Sequence, residues 1–290
     1  MANVFYHGGK WFDDNPAILG PLDHAFWMAT TVFDGARAFD GLAPDLDLHC
    51  RRLVDSANKM LLAATLEADE IEELCREGIR KLPKERVYYV RPMFYATEGM
   101  IVPVPESTDF ALAVYDVPFP GFDGFSASLS PFRRPSPDTA PTDAKASCLY
   151  PNGARALKKA RAEGFNNALL LDPWDNVAEF ASANIWIVRD GIIQTPTPNG
   201  TFLNGITRQR VIGLLREAGR EVAERVLTLE DVRAADEVFI SSTAGGVLPV
   251  TRVEGRTLGD GGAGPITTRL HDLYWGKKAQ GWHGTPVRYD

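Results

Sequence analysis

Near the middle of the chain, the run Pro118-Phe119-Pro120-Gly121-Phe122-Asp123-Gly124 places proline or glycine at four of seven positions. Proline breaks helices and cannot donate to a sheet ladder, and interior glycine weakens both elements. No regular element crosses such a stretch, so the chain reads as two bodies joined there. The expected organisation is a small N-terminal α/β domain over 1–117, an interdomain loop over 118–124, and a larger C-terminal domain over 125–290. A length of 290 residues suits two domains and allows a core without disulfide or metal staples.

Local patterns support an α/β (α+β) reading on both sides of the break. Short β-like runs lie at Val4–Tyr6 and Thr31–Phe39, the second closed by the turn pair Asp40-Gly41. A helix is expected from Leu48 to about Ala63. Another follows Asp69 with Glu72 as its capping pair, and Ile71, Leu74, Cys75, Gly78, Ile79 and Leu82 repeat along it at helical spacing. Strands are expected at Val87–Tyr95 and Phe110–Tyr115. Beyond the break come a helix over Ala154–Glu163 and strands at Ala168–Leu171, Asn184–Val188 and Ile192–Thr195. A helix over Thr207–Ala218, a strand at Glu237–Ser241 and a helix after Pro265 complete the reading.

Several function classes find no support. Lys plus Arg number 31 against 38 Asp plus Glu, a formal charge of −7 with no basic stretch, so nothing suggests nucleic-acid binding. The first residues lack the basic and apolar regions of a signal peptide, and apolar runs such as 60–66 are too short to cross a bilayer. Three scattered cysteines (Cys50, Cys75, Cys148) fit a reduced, cytoplasmic protein. The five histidines and three cysteines show no metal-ligand spacing, so no metal is expected. Gly259-Asp260-Gly261-Gly262-Ala263-Gly264 matches a dinucleotide fingerprint literally. It follows no convincing strand and leaves no room for a βαβ unit, so it reads as a loop.

Other segments carry chemistry. Lys145 lies in Thr142-Asp143-Ala144-Lys145-Ala146-Ser147-Cys148-Leu149-Tyr150, where small neighbours leave room for a bulky group. A half-buried lysine has its pKa pulled down, and imine chemistry needs the neutral amine; a solvated surface lysine is the alternative. Glu179 sits in the apolar run Val177-Ala178-Glu179-Phe180 and is either a surface residue or the partner of a cation such as a protonated pyridine nitrogen. Asn204-Gly205-Ile206-Thr207 precedes an apolar-periodic helix and suits either a phosphate cup or plain threonine capping. Ser241-Ser242-Thr243-Ala244-Gly245-Gly246 is a second hydroxyl-and-glycine turn. Of Arg51 and Arg52 only one can point inward, where it could clamp a phosphate. Tyr89 and Arg91 share one strand face, fit either to hold a carboxylate or to form a structural ion pair.

In this order and spacing the segments resemble the fold-type IV pyridoxal-phosphate transaminases, and most nearly the branched-chain amino acid aminotransferases. The likeness runs from Asp23-His24-Ala25 and Val32-Phe33-Asp34-Gly35-Ala36-Arg37 through His49-x-x-Arg52-Leu53, Tyr89-Val90-Arg91-Pro92 and the Lys145 segment. It continues through Glu179–Asn184, Gly205-Ile206-Thr207-Arg208 and Ala235-Asp236-Glu237-Val238-Phe239 to Gly264-Pro265-Ile266-Thr267. The resemblance implies a two-domain fold with pyridoxal 5′-phosphate (PLP) in the cleft between the domains, held as a Schiff base on Lys145, the catalytic residue. It implies that Glu179 pairs with the ring nitrogen and Tyr150 with the ring oxygen. Arg52, Ile206, Thr207 and Thr243 would hold the phosphate. Tyr89, Arg91, Thr243 and Ala244 would meet substrate carboxylates, and Phe33 and Met93 could accept a branched side chain. The partners implied are an amino acid, a 2-oxo acid such as 2-oxoglutarate, and a second copy of the chain in a homodimer or larger homo-oligomer.

The chain departs from the branched-chain pattern in places. Trp27-Met28-Ala29 stands where the family typically has His-Tyr-Gly, Ala183 replaces a common glutamate, and Gly245-Gly246 replaces an Ala-Glu pair. These changes keep a D-amino acid or (R)-amine transaminase in view as the alternative. An aminodeoxychorismate lyase and a catalytically silent binding protein stand further off.

Overall fold

The structure, a computed structural model that describes residues 2–289, divides the chain into two units. The first comprises 2–119, 143–149 and 280–289; the second comprises 120–142 and 150–279. Met1 and Asp290, the outermost residues of the expected domains, lie outside the described residues. The change of unit at 119/120 falls inside the Pro/Gly-rich run. Segments 143–149 and 280–289 pack with the first unit, whereas a linear reading of the sequence assigns them to the C-terminal domain.

In the first unit the chain forms β1 (Asn3–His7), β2 (Lys10–Phe12), α1 (His24–Met28), β3 (Thr31–Phe33), β4 (Ala36–Ala38) and β5 (Leu42–Pro44). It continues with α2 (Leu46–Lys59), α3 (Ala68–Arg80), β6 (Tyr88–Ala96) and β7 (Thr108–Asp116). The antiparallel sheet runs β2-β1-β7-β6-β3, with β4 also on β6. Period-two alternation sorts the faces of β6. Tyr88, Val90 and Phe94 are buried in the core with α2 and α3, while Tyr89, Arg91 and Met93 point the other way and stay partly exposed. The expected strand 31–39 is broken into β3 and β4 at Asp34-Gly35. The break lies where β6 carries Pro92, which has no N–H; only its carbonyl is used, accepting from the Asp34 amide at 3.0 Å.

Helix α2 buries Leu46, His49, Cys50, Leu53, Ser56 and Ala57 along one stripe. Helix α3 starts earlier than its sequence suggests. The capping pair is Glu67 with Glu70, not Asp69 with Glu72, and Asp69 lies in the first turn. Gly78 there answers a packing demand, because a Cβ would meet the Trp11 ring at 2.9 Å.

The second unit contains β8 (Phe125–Leu129), α4 (Tyr150–Ala162), β9 (Asn167–Leu171), β10 (Val177–Phe180), β11 (Asn184–Arg189) and β12 (Ile192–Pro196). After these come α5 (Ile206–Glu217), β13 (Val222–Arg225), α6 (Leu229–Arg233), β14 (Glu237–Ser242), β15 (Gly246–Val253), β16 (Arg256–Thr257) and α7 (Pro265–Gly276). Its nine-stranded mixed sheet runs β10-β9-β8-β15-β14-β11-β12-β13, with β16 on β15. The β8–β9, β8–β15 and β12–β13 pairs are parallel. Leu169, Phe180, Ile185, Ile187, Val238 and Val250 are among the core residues of this sheet. The fingerprint-like glycines 259–264 form a loop, and Gly264 is the N-cap of α7. Last, β17 (Gly284–Pro286) pairs with β5 of the first unit. Among the described residues no helix is long and apolar enough to cross a membrane.

Candidate active site

Lys145 belongs to the first unit because its backbone is tied there on both sides. Its amide donates to Ser56 Oγ on α2 at 3.0 Å, and its carbonyl accepts from the Phe33 amide at the end of β3 at 3.1 Å. Ala146 bridges to Val32, and Ala144 and Ala146 are buried in the core. Extended backbone sends alternate side chains to opposite sides. Lys145 therefore faces away from that core, half-buried, with Nζ 4.8 Å from the centre of the Phe33 ring.

Arg52 points inward and Arg51 outward, where Arg51 pairs with Asp47 at 3.0 Å. The anchor of Arg52 is Asp34, a fully buried carboxylate at the β3–β4 break. Arg52 Nε and Nη2 donate to Asp34 Oδ2 and Oδ1 at 2.7 and 2.8 Å. His49 Nδ1, one turn earlier on α2, lies 2.6 Å from Oδ1, which also accepts the Gly35 amide at 2.7 Å. Burial alone would push the Asp34 carboxyl up, but Arg52 and His49 outweigh it and hold the group far below the usual carboxylate range.

Tyr89 and Arg91 stand on the open face of β6 with two residues that the sequence reading does not single out, Arg37 and Tyr115. Arg91 Nη2 donates to the Tyr115 hydroxyl, and its guanidinium lies 5.3 Å from the Tyr89 ring centre and 5.1 Å from that of Tyr115. Register places Arg37 opposite Tyr89 and Tyr89 opposite Tyr115. Arg37 Nη2 donates to the Val117 carbonyl at 2.5 Å, with its guanidinium 4.3 Å from the Phe119 ring centre. Among the described residues no carboxylate pairs with Arg37 or Arg91, and the Nε of each is buried without a hydrogen-bond partner. Burial draws Arg37 down to about 10, with Tyr89 and Tyr115 opposing. Burial also raises Tyr89, against the pull of Lys145 and Arg91. Gly35 leaves room for Tyr89, because a Cβ there would collide with the tyrosine ring and hydroxyl and displace them. Two guanidinium groups with no carboxylate partner among the described residues give this face the charge and donors that suit an anion.

In the second unit Glu179 lies on β10, beside the register shift between Val177 and Glu179, the kind of irregularity that re-aims a side chain. It is mostly buried, and its Oε1 sits 3.2 Å from Arg134 Nε. Helix α5 settles the capping alternative. Its N-cap is Gly205 and no side chain caps it, so Thr207 is already inside the first turn and its hydroxyl is not spent on capping. That hydroxyl lies 3.5 Å from the hydroxyl of Thr243, in the turn between β14 and β15 that also carries Ala244. Asn184 braces the approach to the helix. Its Nδ2 donates to the Leu203 carbonyl at 2.9 Å and its Oδ1 accepts the Gly205 amide at 3.2 Å. Ile206 is buried at the start of α5, and Tyr150 opens α4 with its side chain partly exposed.

Comparison with known proteins adds an independent finding. The sequence pattern of the family described as amino-transferase class IV matches residues 31–253. The branched-chain-amino-acid aminotransferase of Escherichia coli (strain K12) is 32% identical over 95% of this chain and 93% of its own length. Among solved structures, an aminotransferase from Brucella abortus bound to the co-factor PLP superposes with a TM-score of 0.92. It is 46% identical and covers 95% of this chain and 99% of that one. The branched-chain aminotransferase of the thermophilic archaeon Thermoproteus uzoniensis, solved with norvaline, gives a TM-score of 0.89. It is 30% identical over 98% of this chain and 99% of that one.

Proposed function

The chain belongs to the class IV aminotransferases, and from that premise we propose that it is a PLP enzyme moving an amino group between a branched-chain L-amino acid and a 2-oxo acid such as 2-oxoglutarate. The observation that carries this reading is Lys145, a half-buried amine whose peptide is fixed on both sides while its side chain leaves the core. The residues fit the cofactor in charge and kind. Lys145 supplies the amine, Arg52 and the uncapped start of α5 with Ile206, Thr207 and Thr243 suit a phosphate, and Glu179 suits a ring nitrogen. Bound PLP supplies an electron sink that stabilises negative charge at the substrate Cα.

The chain's own residues would do the rest. The Lys145 amine holds the cofactor and afterwards carries the proton to and from Cα. Glu179, paired with Arg134, holds the proton on the ring nitrogen. Tyr150 donates to the ring oxygen. Tyr89 and Arg91, with backbone groups at Thr243 and Ala244, take the carboxylates, while Phe33 and Met93 offer apolar surface to a branched side chain. The uncompensated Arg37 and Arg91 favour carboxylate-bearing substrates, since a simple (R)-amine gives neither guanidinium a partner.

The same reading includes a homodimer in the cytoplasm. Its support is an apolar surface on the first unit. Leu22, Phe26, Trp27, Met100, Ile101 and Val102 are all exposed, Leu22 at 90% and Met100 at 77%. The two segments adjoin, since the His24 amide donates to the Thr97 carbonyl at 3.1 Å. Such a surface is best covered by a second copy.

Half-reactions with L-leucine, L-valine, L-glutamate, D-alanine and (R)-1-phenylethylamine, followed by the cofactor's absorbance, test the substrate class. Rapid conversion with the branched-chain L-amino acids and with L-glutamate is expected. Conversion by D-alanine or the amine, with the L-amino acids inert, would replace the reading with the D-amino acid or (R)-amine alternative.

A further inference from the structure

Lys145 and Arg52 are 93 residues apart in the chain, yet four hydrogen bonds, with the chain itself, join them into one closed ring. Starting at Lys145, its carbonyl accepts from the amide of Phe33. The next residue, Asp34, holds Arg52 through two hydrogen bonds of 2.7 and 2.8 Å. One turn further along α2 is Ser56, whose hydroxyl accepts the Lys145 amide at 3.0 Å and returns to the start. Asp34 and Ser56 are both buried, and the Asp34 amide is itself tied to Pro92 on β6.

We infer that Asp34 and Ser56 are positioning residues that set the separation and direction of Lys145 and Arg52 to match the two ends of one PLP molecule. This rests on the proposed function and deepens it. The aldehyde carbon and the phosphate of PLP are joined through a rigid aromatic ring, so a protein gripping both must hold its amine and its guanidinium at a fixed spacing. Consecutive residues do this here, Phe33 through its amide and Asp34 through its carboxylate. The bidentate pairing commits the Nε–Nη2 edge of Arg52 to Asp34 and fixes the plane of the guanidinium that would hold the phosphate. His49 supports Asp34 from a second direction, fixing the carboxylate plane. Neither Asp34 nor Ser56 touches the cofactor in this account; each acts through the residue it holds.

Titrating the cofactor-free full-length chain with PLP and with pyridoxal, which lacks the phosphate, tests this through visible absorbance. Asp34→Asn replaces an acceptor facing Arg52 with an amide donor, so Arg52 loses its aim. PLP binding is expected to weaken about ten-fold or more, as when a charge-assisted pair is lost, with pyridoxal binding nearly unchanged. Arg52→Gln should give the same pattern, and the double variant should be no weaker than Arg52→Gln alone, because both act on one contact. Ser56→Ala leaves the ion pair intact and carries the test should Asp34→Asn not fold. By loosening Lys145 it should weaken PLP and pyridoxal alike, by about three- to ten-fold, as for one lost hydrogen bond. Unchanged PLP affinity in Asp34→Asn, losses that multiply in the double variant, or unchanged affinity in Ser56→Ala overturns the inference while leaving PLP binding in place. A wild-type chain that takes up neither compound overturns the reading on which it rests.

Discussion

Arg91 shows how a residue can be half legible. Alternation along Tyr88–Met93 puts it beside Tyr89 on one strand face, and the structure keeps them together. Arg37 and Tyr115 complete the cluster through pairing between strands, which no local pattern encodes. Asp34 is hidden differently. It falls inside the run 31–39 that reads as one strand, and nothing local in that run announces that its carboxylate meets His49 and Arg52 on a helix. The choice between Arg51 and Arg52 is legible in part, since only one of two adjacent helical residues can face inward. Arg91→Leu leaves Lys145, Arg52 and Glu179 untouched, so PLP should still bind. Removing a charge that pairs with a carboxylate costs about 2–5 kcal/mol when the partner stays buried. Stopped-flow half-reactions should therefore slow much more with L-glutamate than with L-leucine. Equal losses would move Arg91 to the shared α-carboxylate, and no loss for either would remove it from the site.

Strong periodicity makes the helices α2, α3 and α5 and the strand β6 readable, because each buries one regular face, while β7 reads as an apolar run buried on both faces. Elements without such a face escape. Strand β13 is short and has no fully buried residue, and α1 and α6 are five residues each, below the length at which a stripe shows. The split of the expected strand 31–39 depends on Pro92 of a different strand. The start of α5 is the element most informative for function. Gly205 lies so close to Asn184 Oδ1 that a Cβ would collide with it, and the same carboxamide braces Leu203 and the Gly205 amide. Gly205→Ala must displace that brace, at a cost of about 1–3 kcal/mol. Thermal melts should show a lower Tm and a smaller stabilisation by added PLP than in the wild type. A PLP-dependent rise in Tm equal to that of the wild type would mean that the loop 203–205 does not help hold the phosphate.

For the whole molecule, the Pro/Gly-rich run at 118–124 marks where the chain changes units, but no local pattern shows that 143–149 and 280–289 return to the first. That return is made by pairings over long separations, Val32 with Ala146 and β5 with β17. It places Lys145 in the unit that carries Arg52 and Arg91, not in the larger unit with Glu179 and Thr207. The exposed apolar surface of the first unit belongs to this scale too. Ile101→Asp adds a charge to a 73%-exposed residue, so the fold should tolerate it. Light scattering should find the wild type at twice the chain mass and the variant shifted towards the monomer. A monomeric wild type would contradict the proposed homodimer.

The central claim is that Lys145 carries the cofactor, and chemical trapping tests it most directly. The chain purified with PLP should be yellow and should bleach on borohydride reduction. Peptide mapping should then find the reduced pyridoxyl group on the peptide containing Lys145. Modification of Lys158 or Lys159 in place of Lys145, or a colourless chain that ignores added PLP, would contradict the account.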